Sequence, residues 1–414
     1  MKQQGLTTKA LHTKQARKDV HGSIHTPVYD NASFEFETAE DLELAFQGKK
    51  PSHMYSRISN PTIEAFELKV RNITNAKGVL ATSSGMAAIS NTIMSVVGQG
   101  ENVITSNHVF GNTYSLFETT LKQWGLETKY ADMTNIKDVE KLIDDKTRVI
   151  FLETITNPQL EVANLAKLGE LAKKHEILLI VDSTVTPLSY FIDAKKLGIH
   201  IEVISSTKYI SGGATSVGGI IVDYGNFKWK NNPHLADYAK KFGPFALLTK
   251  LRKESYRNMG ACLSPHNAFL QSIGLETMAL RVEKSCANSL AIAKFLEKHP
   301  SVESVNYPGL ECSQFYDISK EQFGDKFGAL LTFNLKSKEE CFKFMNRLKL
   351  IRRATNLNDN RSLIIHPSST IFVEFSDELK NRMGVYDNLI RLAVGIEDIE
   401  DLIEEIEQGL MFNV

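Results

Sequence analysis

Three stretches of the chain set reactive or anion-binding side chains at the end of an apolar run. The first is Val203-Ile-Ser-Ser-Thr-Lys-Tyr-Ile-Ser-Gly-Gly213, where a β-branched segment gives way to Ser205, Ser206, Thr207 and Lys208 before a glycine pair. A lysine there, with hydroxyls before it and flexible backbone after it, stands where parallel sheets present groups to ligands. Two chemistries suit it: a cation that meets a carboxylate or phosphate, or an amine held in a desolvated pocket with a lowered pKa, ready to form a Schiff base. On its own Lys208 is one lysine among many, most of which must be solvated surface groups. Its partners decide between the two.

The second stretch, Val79-Leu-Ala-Thr-Ser-Ser-Gly-Met-Ala-Ala88, runs from apolar residues into hydroxyls and a single glycine ahead of helix-forming sequence. Such a turn aims backbone N–H groups and a helix N-terminus at an anion. Taken alone it is equally a tight turn. No Gly-Lys-Ser/Thr follows it, and no GxGxxG occurs, Gly98-Gln-Gly100 lacking the third glycine; nucleoside triphosphates and dinucleotides are disfavoured. The third stretch, Leu178-Leu-Ile-Val-Asp-Ser-Thr184, ends in Asp182. A carboxylate so placed can bind a metal, cap the next turn, or hold a protonated ring nitrogen. No His, Cys or Asp/Glu cluster with ligand spacing surrounds it, so no metal is expected.

Positioning these groups takes a sheet. From Gly78 short apolar runs alternate with amphipathic segments, the pattern of a doubly wound, mostly parallel sheet covered by helices. Strands are predicted over 78–82, 102–105, 127–130, 149–153, 178–182, 203–206 and 217–222, and helices over 86–97, 114–124, 136–143, 165–175 and 194–197. Upstream, Ser59-Asn60-Pro61-Thr62 opens a helix with Ile63, Phe66, Val70 and Ile73 on one face. Residues 1–58, broken by Gly5, Gly22, Pro27, Gly48 and Pro51, offer one helical candidate at 38–46 and read as an extended arm that packs on another domain or subunit. Beyond about Gly260, a long helix over 266–296, strands over 329–334 and 392–396, and a last helix with Ile399, Leu402, Ile403, Ile406 and Leu410 on one face predict a smaller α+β unit. The expected organisation is an arm over 1–58, a large α/β domain over 59–260 and a smaller α+β domain over 261–414.

Composition narrows the function classes. With 414 residues, 42% of them hydrophobic, the chain can bury a large core. Its 48 Lys and Arg nearly balance 49 Asp and Glu, so no global field draws in nucleic acid or an anionic membrane. Met1 to His12 lack the apolar run of a signal peptide and no stretch is apolar enough to span a bilayer, so a cytoplasmic location is expected. Cys262, Cys286, Cys312 and Cys341 are too far apart for a zinc site or a disulfide scaffold and are expected to be reduced.

Taken together, a phosphate turn at Ser84, an aspartate at one strand end and a Ser-x-Thr-Lys further on supply what a pyridoxal phosphate enzyme needs: a phosphate site, a carboxylate on the pyridinium nitrogen and a Schiff-base lysine. Over nearly its whole length the chain resembles the cystathionine synthase and lyase family of pyridoxal phosphate enzymes. The resemblance rests on Tyr55-Ser-Arg57-x-x-Asn-Pro-Thr62, Ser84-Gly-Met86, Asn157-Pro158, Val181-Asp-Ser-Thr184, Ser205-x-Thr207-Lys208 and Arg391-Leu-Ala-Val-Gly-Ile-Glu397. It implies a fold type I transferase with pyridoxal 5'-phosphate in the large domain. Lys208 would form the Schiff base and Asp182 keep the ring nitrogen protonated. Ser84, the amides of Gly85 and Met86, Ser205 and Thr207 would hold the phosphate. Tyr55 and Arg57 would reach the phosphate of the neighbouring subunit, in a homotetramer built as a dimer of dimers. Asn157 would lie near the ring oxygen, and Arg391, with Asn356 beside it, would clamp the substrate carboxylate.

Two departures from the family pattern bear on the reaction. Phe110 stands where much of the family stacks a tyrosine on the ring; it can stack but cannot move a proton, leaving Tyr55 as the available acid. Acetate, a weak base, leaves without an acid more easily than a thiolate does, so Phe110 favours an acylated homoserine. Asn356 stands where many relatives have serine. Leu363-Ile-Ile-His-Pro-Ser-Ser-Thr370, the Leu263 to Thr277 segment and Gly218 to Trp229 look like the O-acetylhomoserine sulfhydrylase branch. The expected reaction is replacement of acetate by sulfide or methanethiol, giving homocysteine or methionine. The alternatives at this point are methionine γ-lyase, cystathionine γ-synthase and a non-catalytic protein that binds a phosphorylated ligand.

Overall fold

A computed structural model describes residues 4–13 and 19–411. Its centre is a seven-stranded sheet built from β1 (Gly78–Thr82), β2 (Asn102–Thr105), β3 (Glu127–Tyr130), β4 (Thr147–Glu153), β5 (Leu178–Asp182), β6 (Ile201–Ile204) and β7 (Gly219–Asp223), in the order β1-β7-β6-β5-β4-β2-β3. All neighbours are parallel except β7, which runs antiparallel to both β1 and β6. The inner strands β4 to β7 carry aliphatic runs because helices cover both faces, whereas the edge strand β3 is polar and partly exposed. Leu178, Leu179, Ile180 and Val181 of β5 are fully buried, each stabilising the sheet by roughly 1.5–3 kcal/mol.

A second sheet of five strands, β8 (Ser304–Asn306), β9 (Leu330–Asn334), β10 (Arg352–Arg353), β11 (Leu363–Ile365) and β12 (Leu389–Ala393), has the order β10-β11-β12-β9-β8. The helices Met278–Glu297, Lys338–Arg347 and Ile399–Leu410 pack on it through Leu296, Phe344, Leu402 and Ile406, which join Phe333, Ile390 and Leu392 in one core. No helix among the described residues is long and apolar enough to cross a membrane.

Most predicted elements are present, and the differences have local causes. β6 ends at Ile204 rather than 206, because the Ser205 amide turns to donate to the Thr184 hydroxyl at 2.9 Å. β7 begins at Gly219 rather than 217, since Gly218 is engaged with Thr207. Residues 194–197 form turns, not a helix. The predicted 266–296 helix is two, Pro265–Glu276 and Met278–Glu297, broken at Thr277, whose ψ of 6° is not helical. Between Gly111 and Trp124 a five-residue α turn widens into a π-helix over Leu116–Leu121 before closing as a 3-10 turn. β12 spans Leu389–Ala393, so Arg391 lies within a strand, opposite Ile365 and Thr332, rather than ahead of one.

The arm also contains an unpredicted helix, Leu6–Leu11, docked on Pro61–Thr74: Ala10 is fully buried and the Asn72 amide donates to the Lys9 carbonyl at 3.1 Å. Its sequence, LTTKAL, has no helical signal of its own, and docking supplies its stability. Residues 1–3 and 14–18 of the predicted arm, and 412–414 of the smaller unit, lie outside the described residues.

Candidate active site

Because β1, β4, β5 and β6 point the same way, their C-terminal ends share one edge of the sheet, and the turns that follow converge there. β1 leads into Ser84, whose Oγ accepts from the Ala87 amide at 3.1 Å and caps the helix Gly85–Val96, an arrangement worth about 1 kcal/mol. The first amides of a helix have no intrahelical acceptor, which leaves those of Gly85 and Met86, and the Ser84 hydroxyl proton, for a ligand. Ser205 lies directly across: a Cβ on Gly85 would come within 2.7 Å of its Cβ. β7 closes the same turn, a Cβ on Gly219 meeting the Ser84 carbonyl oxygen at 2.1 Å. The Thr207 hydroxyl donates to the Gly218 carbonyl at 3.2 Å and accepts its amide at 3.1 Å, so Thr207 holds the loop as well as facing the turn.

Lys208, the next residue, is half-buried, and its Nζ donates to Asn356 Oδ1 at 2.5 Å. Burial, reinforced by the nearby Arg391 cation and opposed by Asp359, brings its pKa down to about 8. The Asn356 side-chain amide in turn donates to Asp359 Oδ2 at 3.0 Å, which turns the amide oxygen toward the lysine. Arg391 is buried: one Nη donates to Asn157 Oδ1 at 3.2 Å and the other to the carbonyls of Thr355 and Asn356 at 3.3 and 3.0 Å. Its Nε has no partner, and no carboxylate pairs with it among the described residues. Burial lowers its pKa to about 10. A buried cation without counter-charge is costly, and a guest carboxylate would supply that charge.

Asp182 accepts from the amide of Thr184 at 2.9 Å and from its hydroxyl at 2.6 Å. Burial pushes its carboxyl up against these bonds. Beside it, in register on β4, stands Glu153, whose Oε1 accepts from the Phe110 amide at 2.5 Å. Two acids at the ends of neighbouring parallel strands were visible as sequence, in Glu153 and Asp182, but the pairing of the strands was not. Asp359 was likewise missed, carrying no signal until the chain is folded, and Thr184, though part of a quoted motif, was given no role of its own.

The site thus brings together Lys208, Asp182, Ser84, Gly85, Met86, Ser205, Thr207, Phe110, Asn157, Asn356 and Arg391. Tyr55 and Arg57 stand apart: the Arg57 guanidinium lies 5.5 Å from the Tyr55 ring centre and donates to the Arg257 carbonyl at 2.8 Å, and no hydrogen bond among the described residues joins either to Lys208, Asp182 or Ser84. A cleft of about 420 Å³ opens beside Phe110, lined by Met86, Gly111, Asn112, Thr370, Ile371 and Phe375 among others.

These residues fit pyridoxal phosphate: free helix amides for the phosphate, an acid for the ring nitrogen, and an amine whose pKa has fallen to where its neutral form is accessible. The chain matches the model of the Cys/Met metabolism PLP-dependent enzymes over residues 7–411. It is 50% identical to the O-acetylhomoserine sulfhydrylase structure from Wolinella succinogenes, with a TM-score of 0.78 over 85% of this chain and 97% of that one. A Campylobacter jejuni structure, provisionally assigned as an O-acetylhomoserine (thiol)-lyase and carrying a pyridoxyl-lysine phosphate, is 32% identical with a TM-score of 0.94, covering 98% of this chain and all of that one. The L-methionine gamma-lyase of Fusobacterium nucleatum is 36% identical, with 99% of each chain covered.

Proposed function

The chain belongs to the Cys/Met metabolism family of pyridoxal-phosphate-dependent enzymes, and within it we propose that it is an O-acetyl-L-homoserine sulfhydrylase, replacing acetate by sulfide or methanethiol to give homocysteine or methionine. The observation that carries this is the Lys208–Asn356–Arg391 cluster: one residue links the amine that would meet the cofactor to an unpaired buried cation suited to an amino acid's carboxylate. The acetyl ester is favoured by the half-identical sulfhydrylase and by Phe110, which offers no proton to a more basic leaving group. The gamma-lyase relative supports a second reading, elimination of methanethiol from methionine.

Pyridoxal phosphate, when bound, supplies an electron sink for the carbanion at the substrate's α-carbon. The chain's residues do the rest. Ser84, the Gly85 and Met86 amides, Ser205 and Thr207 would hold the phosphate, and ionised Asp182 would keep the ring nitrogen protonated. Arg391 anchors the α-carboxylate and so fixes which bond faces the ring. Lys208 would move protons at the substrate's Cα and Cβ, and Asn356 Oδ1 would receive its ammonium form. Acetate departs from Cγ unprotonated. Tyr55 and Arg57 belong, in this reading, to the neighbouring subunit's site, in a cytoplasmic homotetramer with the arm over 1–58, the cofactor domain over 59–260 and the smaller domain over 261–414.

The test is to incubate the protein with O-acetylhomoserine with and without sulfide, and with methionine alone, measuring homocysteine and 2-oxobutyrate. Homocysteine that requires both ester and sulfide is expected. Release of 2-oxobutyrate from methionine, without sulfide incorporation, would assign the gamma-lyase reaction instead.

A further inference from the structure

We propose that Glu153 is a positioning residue of this site, an uncharged hydrogen-bond acceptor that ties Phe110 to the end of β4. Its Oε1 accepts the Phe110 amide at 2.5 Å. A single buried side chain therefore sets the backbone of the residue expected against the cofactor ring.

Glu153 is the neutral member of its pair for reasons of geometry. It is buried beside the half-buried Asp182 in register, and a carboxyl shut away from water next to another carboxylate resists ionising. Asp182 has the Thr184 amide and hydroxyl to support a negative charge, and a protonated ring to face. No lysine, arginine or histidine pairs with Glu153 among the described residues. Burial and the Asp182 charge hold its carboxyl well above the usual range. The proton thus stays on Glu153, and Asp182 is free to act on the cofactor.

This inference rests on the cofactor and substrate roles given above, and its test separates the two. Apoenzyme of the wild type, Glu153→Gln and Glu153→Met is titrated with pyridoxal phosphate, and KM, kcat and their pH profiles are measured with O-acetylhomoserine and sulfide, alongside the melting temperature. Gln keeps the acceptor oxygen without the charge; Met keeps the volume without the acceptor. The Gln variant is expected to match the wild type in cofactor affinity, KM and pH profile. The Met variant is expected to raise the cofactor Kd about tenfold, with KM and kcat changing less. A Gln variant as impaired as the Met variant, or with a shifted pH profile, would show that the charge is needed and overturn the proposal. So would a Met variant altered in melting temperature alone. Failure of the wild-type apoenzyme to take up pyridoxal phosphate would sink the functional reading instead.

Discussion

Lys208 and Arg391 are two cations held close together with little to neutralise them. Each makes a prediction. Because burial and Arg391 lower the Lys208 pKa to about 8, the neutral amine gains population as pH rises through about 8, not through the ordinary lysine value of about 10.4. The rate at which apoenzyme takes up pyridoxal phosphate should climb with a midpoint near pH 8, and Arg391→Met should move that midpoint upward. The same variant should raise KM for the amino acid roughly 10- to 150-fold, the loss of a charge-assisted hydrogen bond worth about 1.5–3 kcal/mol. Urea titration should find its unfolding free energy within about 1 kcal/mol of wild type, because no carboxylate loses a partner. Lys208, Asp182 and Arg391 were legible as sequence because each belongs to an apolar strand or its end, where a charge is conspicuous. Glu153 and Asp359 act through pairings made by strand register and loop closure, which a single sequence does not display.

Among the elements, the turn after β1 and the loop after β6 matter most. Their contact at Gly85 and Ser205 leaves no room for a methyl group, so Gly85→Ala must push the turns apart. Cofactor affinity, measured by titrating apoenzyme, should fall about tenfold or more while the helix cap at Ser84 survives. Most of the parallel strands were readable because they are short aliphatic runs between amphipathic segments; β3, with the sequence ETKY, is the exception. The break at Thr277 was not: neither glycine nor proline marks it, and apolar residues continue on both sides. The Leu6–Leu11 helix was hidden for the opposite reason, being a polar segment that is helical only where Ala10 meets the helix beneath it.

At the scale of the molecule, the arm is tied down at Thr62, whose hydroxyl donates to the Pro27 carbonyl at 2.7 Å and accepts the Tyr29 amide at 2.9 Å. Yet it leaves Val20, Ile24 and Phe46 exposed, at 89%, 91% and 71%. Large apolar side chains so exposed suit burial against another subunit, in keeping with the proposed tetramer and with Tyr55 and Arg57 standing apart from their own chain's lysine. Light scattering should give four times the chain mass of 46.4 kDa, and Phe46→Asp should yield smaller species with reduced activity. The two-sheet architecture followed from the alternation of strands and helices; the expected assembly comes only through the resemblance, because composition does not say what an exposed arm covers.

The central claim is that Lys208 is the amine that holds the cofactor. Reducing the coloured holoprotein with borohydride, digesting it and locating the pyridoxyl phosphate by mass spectrometry tests it directly. The label should fall on Lys208, and Lys208→Ala should lose both the reducible chromophore and turnover; a label on any other lysine, or a Lys208→Ala variant that keeps both, would contradict the account.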